Sequence, residues 1–363
     1  MRIGICSYWF NRGQGVVSRH LRSALDSLGH ETFVLARPTR ASNIRPAFVD
    51  RTGVWEHPNI REASSYEIPP GEYKDWARDK ELAVCFFDQN YGFEGIAALR
   101  DMGVRTLGRF VWEQFSPEHA GPASEAFDIV YSLTECEQER YRVLGIRSPR
   151  VPWGIHPELL EHSGQDTAGN PAAPGTCVYI YPGGFMSARK PFEAVLEAFG
   201  RTTDPRLRLI FRAQVDRHMK GVRKRVRRDG RVEVVSEDLP IGEHLRLFAS
   251  ADVCVAPSRW EGLGLHLFEA AAFGIPVITN DNPPMNEVVH DGENGLLVPG
   301  VRAGEAKSGI PAYEPDVDAL VDAIERLADD GERSRLADGA RRARERLSWE
   351  RTVAGYRDLL AQL

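Results

Sequence analysis

The sequence predicts an α/β protein made of two consecutive doubly wound parallel sheets. Three observations carry that expectation. The chain opens with a strand, a glycine turn, an amphipathic helix and a second strand within 36 residues, the unit from which parallel sheets are built. From Cys177 onward, strand and helix patterns alternate cleanly. And 363 residues exceed one core: at roughly 150 residues per domain they make about two.

Arg2–Tyr8 is a short apolar run that suits a buried strand. Gly13-Gln14-Gly15 turns the chain, and Val17, Leu21, Ala24, Leu25 and Leu28 recur at helical spacing until Gly29 stops the helix. Thr32–Ala36 is the second strand. Residues 37–81, rich in Pro, Arg and Glu, read as loops and irregular pieces. Strands return at Leu82–Phe87, Thr106–Val111 and Ile129–Ser132, with a helix near Thr134–Leu144. Residues 163–175 are Gly, Pro, Ala and Ser without apolar periodicity, the expected interdomain linker. Beyond it, strands are expected at Cys177–Tyr181, Leu207–Phe211, Val232–Val235, Val253–Ala256, Pro276–Thr279 and Leu296–Val298. Helices are expected near Lys190–Phe199, Gly242–Ala249, Leu265–Phe273 and Asp316–Ala328. Glu332–Leu363 reads as a charged helical segment carrying Trp349, Tyr356, Leu359 and Leu360. In such sheets ligands bind outside the carboxyl ends of the strands, so chemistry is sought in the loops that follow them.

Composition excludes several classes. The 46 basic and 52 acidic residues give −6, which argues against a nucleic-acid binder driven by bulk charge. No uncharged apolar run approaches the roughly 18 residues a membrane span needs, and the N-terminus shows no signal-peptide pattern. The five cysteines lie at least 41 residues apart, so no metal or redox spacing exists, and they read as reduced core residues of a cytoplasmic protein. No His/Cys/carboxylate cluster calls for a metal. Asp316-Val317-Asp318 resembles a metal-binding pair of acids but starts a helix, where acids favour the dipole.

The strongest feature runs from Ser258 to Val277, after the strand Val253–Ala256. Gly262 and Gly264 allow close approach of a ligand to the backbone. A helix starting near Leu265 offers the amides of Leu263, Gly264 and Leu265 to an anion. Glu261 precedes that turn and Glu269 follows one turn into the helix, and carboxylates beside an anion site suit sugar hydroxyls. A second motif, Tyr181–Pro191, joins a strand to a helix and carries Arg189 and Lys190, cations able to neutralise a departing diphosphate.

Glu261 and Glu269, set in E-G-L-G-L-x-x-x-E-A and followed by G-I-P-V-I, resemble the retaining glycosyltransferases of the GT4 family, glycosyltransferase group 1. The likeness continues through residues 282–289 and 291–298, and more weakly at Gly13–Val16 and Val151–Ile155. It implies the GT-B fold: two Rossmann-like domains facing a central cleft that closes on the donor. It implies an acceptor-binding domain at 1–165, a nucleotide-sugar-binding domain at 176–345, and a C-terminal helix, 346–363, crossing back to the first domain. The implied activity is sugar transfer from a nucleotide-diphosphate sugar, UDP- or GDP-linked, to a small-molecule, lipid or glycan acceptor with retention, and no cofactor is required. Catalytic roles fall on Glu261, Lys190 and Arg189. Donor contacts fall on Gly15, Glu261, Gly262, Leu263, Gly264, Leu265 and Glu269: Glu261 on a sugar hydroxyl, Glu269 on the ribose, and the intervening amides on the diphosphate.

The sequence departs from that family twice. The family's arginine in the Tyr181–Pro191 loop aligns with Phe185, so Arg189 or Arg212 is the candidate replacement. The family's first-domain histidine is absent after Val111, which leaves Glu113 as a candidate acceptor or sugar contact. His266 reads as a packed histidine behind the site. Arg223–Arg228 is a basic run, a solvated helix face or a peripheral contact with an anionic membrane. Two other readings stay open. A nucleotide-sugar epimerase or NADP-dependent enzyme draws on the half fingerprint Gly13-Gln14-Gly15 and on Arg37. A non-catalytic GT-B-like protein draws on the two departures.

Overall fold

The computed structural model describes residues 1–40, 47–162, 175–214, 219–227 and 229–363. The expected linker therefore lies outside the described residues except for Gly175, and so does Arg228 of the basic run. The chain divides into two compact units, Met1–Trp153 with Glu350–Leu363, and Gly154–Trp349.

The first unit runs β1 (Arg2–Tyr8), α1 (Gly13–Ser27), β2 (Glu31–Arg37), β3 (Ile60–Glu62), α2 (Pro70–Asp79), β4 (Val84–Asp88), α3 (Phe93–Arg100), β5 (Arg105–Arg109), α4 (Ala120–Ala126), β6 (Ile129–Val130) and α5 (Glu135–Val143). The strands form one parallel sheet in the order β3-β2-β1-β4-β5-β6. β1 registers Ile5 against Val34 on one side and Phe86 on the other, so it is covered on both edges. Its near-continuous apolar run is what a parallel strand buried on both faces requires. Gly15 is fixed by packing: a Cβ there would stand 2.2 Å from the Phe10 carbonyl oxygen.

The second unit runs α6 (Pro157–Glu161), β7 (Cys177–Gly184), α7 (Phe192–Arg201), β8 (Leu207–Ala213), α8 (Met219–Val226), β9 (Val232–Val235), α9 (Ile241–Ala249), β10 (Val253–Val255), α10 (Leu265–Phe273), β11 (Val277–Asn280), α11 (Met285–Val288), β12 (Gly295–Val298), the hairpin β13 (Gly300–Glu305) and β14 (Pro311–Pro315), α12 (Val317–Leu327) and α13 (Asp330–Arg346). Its six parallel strands take the order β12-β11-β10-β7-β8-β9. Counted within each sheet, both orders are three-two-one-four-five-six, with a reversal between the first and fourth strands: β1 and β4, then β7 and β10. The last helix, α14 (Trp349–Leu360), packs Tyr356 edge-on to Phe86 and Tyr131 in the first unit, and Thr352 Oγ1 donates to the Pro152 carbonyl at 2.8 Å. Among the described residues no helix is long and apolar enough to cross a membrane.

Several local expectations need correction. Residues 37–81 are not wholly irregular, since they hold β3 and α2. α2 buries only Tyr73, Trp76 and Ala77, two large rings at helical spacing rather than an aliphatic stripe. α3 and α4 are short and carry few apolar positions: α3 buries Ile96 and Leu99 beside Gly95, which sits under the Tyr73 ring, and α4 buries only two alanines. Glu332–Leu363 is two helices, broken at Leu347–Ser348. α7 begins at Phe192, so Lys190 stands in the preceding loop and not on a solvated helix start. Asp316 caps α12 by accepting from the Ala319 amide at 3.0 Å, while Asp318 pairs with Arg201.

Candidate functional site

In a doubly wound sheet the two loops that part at the strand-order reversal leave a crevice at the carboxyl ends. In the second sheet those are the loops after β7 and β10. The first carries Arg189 and Lys190; the second carries Ser258 and Glu261. Glu261 Oε1 accepts from Lys190 Nζ at 2.5 Å and from Ser258 Oγ at 2.9 Å, and Lys190 Nζ lies 3.0 Å from Ser258 Oγ. The other carboxylate oxygen is paired with Arg189. Lys190 and Glu261 are 5% and 3% exposed, whereas the Arg189 side chain is 27% exposed.

The electrostatics follow from that burial. Desolvation opposes the Glu261 charge, but Arg189 and Lys190 outweigh it and hold the carboxyl far below its usual range. Burial pulls the Lys190 ammonium down, with Glu261 opposing. Two cations and one carboxylate leave one formal positive charge, and Arg189 is its route to solvent.

The backbone of the first loop is unusual. Gly184 and Met186 both take left-handed φ, 54° and 35°. A non-glycine residue held there marks a site the surroundings over-determine. Arg212, at the end of β8, is buried and donates to the Ala213 carbonyl, so Arg189 is the arginine on Glu261.

Gly264 caps α10 with φ 74°, a left-handed turn that glycine enters without penalty. It is preceded by buried Gly262 and Leu263 and followed by Leu265. The first amides of a helix have no intrahelical acceptor. Glu269, one turn on, lies 3.5 Å from His244 of α9. His266 is half-buried; burial first, then the Lys190 charge, push its imidazole down to about 4. Its Nε2 has no hydrogen-bond partner among the described residues.

Three features were missed from sequence: Ser258, His244 and Arg259. Ser258 lies inside the motif, and a buried hydroxyl beside a buried lysine is a legible signal. Arg259 binds the hairpin, its Nε 2.6 Å from Glu314 and its Nη2 2.8 Å from the Ala303 carbonyl, and its amide donates to the Arg189 carbonyl at 2.8 Å. Only the folded hairpin reveals that connection.

Gly15 and Glu113 belong to the first unit. Gly15 opens α1 against the Phe10 backbone, and half-buried Glu113 follows Trp112 after β5. The dinucleotide reading loses its residue basis. The third glycine position is Ser18, bonded to Ser7 at 2.6 Å, and Arg37 is buried, donating to the Gln89 and Tyr66 carbonyls.

Residues 176–330 match the family described as Glycosyl transferases group 1. A D-inositol 3-phosphate glycosyltransferase of Acidothermus cellulolyticus is 29% identical over 203 residues, 51% of this chain and 42% of its own length. The lipopolysaccharide core biosynthesis mannosyltransferase LpsB of Rhizobium meliloti is 32% identical over 141 residues, 38% of this chain and 33% of its own. The matched stretches thus span less than half of these relatives. Two solved structures match over the full length of both chains: sucrose-phosphate synthase from Thermosynechococcus elongatus (TM-score 0.76, 20% identity) and Anabaena HepE in complex with UDP-glucose (TM-score 0.74, 15% identity). The fold is that of these GT-B proteins, two Rossmann-like parallel-sheet domains.

Proposed function

We propose, from the match of residues 176–330 to glycosyl transferases group 1, that this chain is a GT4-type glycosyltransferase. It moves a sugar from a nucleotide-diphosphate sugar to an acceptor hydroxyl with retention of anomeric configuration. The observation that carries the reading is the Arg189–Glu261–Lys190 network at the strand-order reversal, beside the glycine turn that opens α10.

The roles proposed are those the family resemblance implies. Lys190 and Arg189 carry the charge that develops on the departing diphosphate, and the amides from Gly262 to Leu265 bind its oxygens. Glu261 positions both cations and accepts from a donor-sugar hydroxyl. Glu269 accepts from the ribose. The first domain holds the acceptor, with Glu113 near it. UDP is the preferred base carrier, since a structural neighbour holds UDP-glucose. The reaction breaks the bond from the anomeric carbon to the phosphate oxygen, whose electron pair stays on the phosphate. The acceptor oxygen bonds to that carbon from the same face, and its proton passes to the leaving phosphate. A trapped sugar ester on any carboxylate would overturn this route.

Thermal stability against UDP-, GDP- and ADP-sugars tests the reading. A ligand at 100 times its dissociation constant adds about 2.7 kcal/mol, a visible shift. We expect a shift with UDP-sugars that is lost in Glu269→Ala. No shift with any nucleotide sugar, or one with NADP alone, rejects the proposal. Nuclear magnetic resonance of the product's anomeric proton then tests retention.

A further inference from the structure

The hairpin β13–β14 is an excursion that the connectivity of the second sheet does not need. It leaves after β12 and returns at the same point: Gly300 pairs with Pro315, and the Asp316 amide donates to the Pro299 carbonyl at 2.9 Å. β12 is separated from β10 by β11, yet the hairpin lies against the loop that follows β10. Its register shifts between Arg302 and Glu305, where Gly304 takes φ 88°. A bulge of this kind leaves a residue out of the ladder and re-aims what that stretch carries. Within it lies Ala303, whose carbonyl accepts from Arg259 Nη2 at 2.8 Å.

Arg259 joins three segments. On the hairpin side its Nε lies 2.6 Å from Glu314, and its carbonyl accepts from the Tyr313 amide at 3.0 Å. On the side of the loop after β7, its amide donates to the Arg189 carbonyl at 2.8 Å and its Nη1 to the Ala188 carbonyl at 3.4 Å. Its own chain leads to Glu261 two residues on, and Glu261 is the carboxylate that Arg189 pairs with. The hairpin therefore reaches both the backbone and, through Glu261, the side chain of Arg189 by way of one residue. Arg189 has a long side chain, and where its charge stands depends on where its backbone is held. Misplacing a group that acts on the reacting centre by about 1 Å can cost roughly 10²-fold in rate.

We propose that the hairpin β13–β14, acting through Arg259, positions Arg189 and thereby sets how strongly the second domain holds a diphosphate. Arg259 is a positioning residue, its guanidinium engaged by two protein carbonyls and Glu314. The inference rests on the reading of the second domain as the nucleotide-sugar site. It adds to that site the hairpin, which lies beyond the motif from Ser258 to Val277.

The test titrates UDP, uridine and inorganic pyrophosphate into the full chain by calorimetry, with uridine read by displacement of UDP. Arg259→Ala is expected to weaken UDP and pyrophosphate by about three- to tenfold and to leave uridine unchanged. Glu314→Gln, which loosens the hairpin's hold without touching Arg259, should weaken them by about twofold. Arg259→Lys keeps a charge for Glu314 but cannot also span two carbonyls, so it should fall between. The decisive arm is the cycle with Arg189→Ala. If Arg259 acts through Arg189, adding Arg259→Ala to Arg189→Ala changes UDP affinity by less than about twofold. Losses that multiply in the double variant overturn the inference with the nucleotide site intact. So does a fall in uridine affinity equal to that of UDP, the mark of a domain merely loosened. If Arg259→Ala does not fold, Arg259→Lys and Glu314→Gln run the same cycle. Failure of UDP with binding of pyrophosphate rejects a uridine donor, and the cycle is then read on pyrophosphate. Failure of both to bind overturns the proposed diphosphate site and this inference with it.

Discussion

Each sheet holds a buried cluster of charges at its carboxyl edge, and the two are built oppositely. In the first, Arg109 lies between Asp88 (3.3 Å) and Glu137 (2.6 Å), all three no more than about 2% exposed. One cation serves two carboxylates, and Glu137 also accepts from the Leu133 amide at 2.9 Å. In the second, one carboxylate serves two cations, and Arg189 reaches solvent. A sealed cluster with surplus negative charge can only hold the fold together. An open one with surplus positive charge can still accept an anion. Burial of charge alone does not mark a site; the sign of the excess and its access to solvent do.

The largest expected effect tests the sealed cluster. Arg109→Ala leaves two carboxylates buried without a cation, and breaking a buried pair this way costs about 3–5 kcal/mol. Urea unfolding should show the loss. The triple variant Arg109→Met, Asp88→Asn, Glu137→Gln should recover much of it. If Arg109→Ala unfolds no more easily than the parent, the cluster is hydrated and the contrast fails.

The open cluster should respond in rate instead. Lys190→Ala removes a donor aimed at the charge on the leaving group, a loss of roughly 10²–10³ in kcat. Arg189 and Ser258 keep Glu261 paired, so the melting temperature should change far less than in Arg109→Ala. A variant that melts early yet keeps its kcat would make Lys190 a structural residue like Arg109.

Acid should move the two domains in opposite directions. Burial, opposed by Arg109 and reinforced by Glu137, pushes the Asp88 carboxyl up to about 6 from 3.8. Between those values the native state binds more protons than the unfolded chain, so this group adds stability as pH falls from about 6 to 4. His266 behaves in reverse: native about 4, ordinarily 6.5. The unfolded chain binds the extra proton there, so stability is lost as pH falls through that window. Either group changes stability by on the order of 3 kcal/mol across its window. Hydrogen exchange resolved by domain between pH 4 and 7 should show the divergence. Asp88→Asn should flatten the first slope and His266→Gln the second.

How much of this was legible depended on where the signal resides. β1, β9 and α10 are readable to the residue because each is a local pattern closed by glycine or by a change of period. α2 was not, since two large rings do the work of an aliphatic stripe. Glu261, Lys190 and Glu269 could be named as candidates because each lies in a local strand–loop–helix motif. His244 and Arg259 matter only through partners that sequence does not place beside them, Glu269 and the hairpin, whereas Ser258 bonds Glu261 three residues on and could have been named.

The smallest effect concerns the glycines that open α1 and α10, which are required for different reasons. A Cβ at Gly15 meets a backbone oxygen at 2.2 Å, which cannot yield without moving α1. A Cβ at Gly264 meets Leu267 Cδ1 at 2.9 Å, the end of a side chain that can rotate, so the main cost is the left-handed φ of 74°. That cost is about 1–2 kcal/mol. Gly264→Ala should therefore fold, with a melting temperature lowered by a few degrees. Its turn presents amides to the proposed diphosphate site, so nucleotide affinity should fall by more than stability does. Gly15→Ala should show the reverse ordering, a larger loss of stability with the nucleotide affinity of the folded fraction retained. Equal ratios in the two variants would mean that the α10 turn is only a cap, and that the diphosphate is held by Arg189 and Lys190 alone.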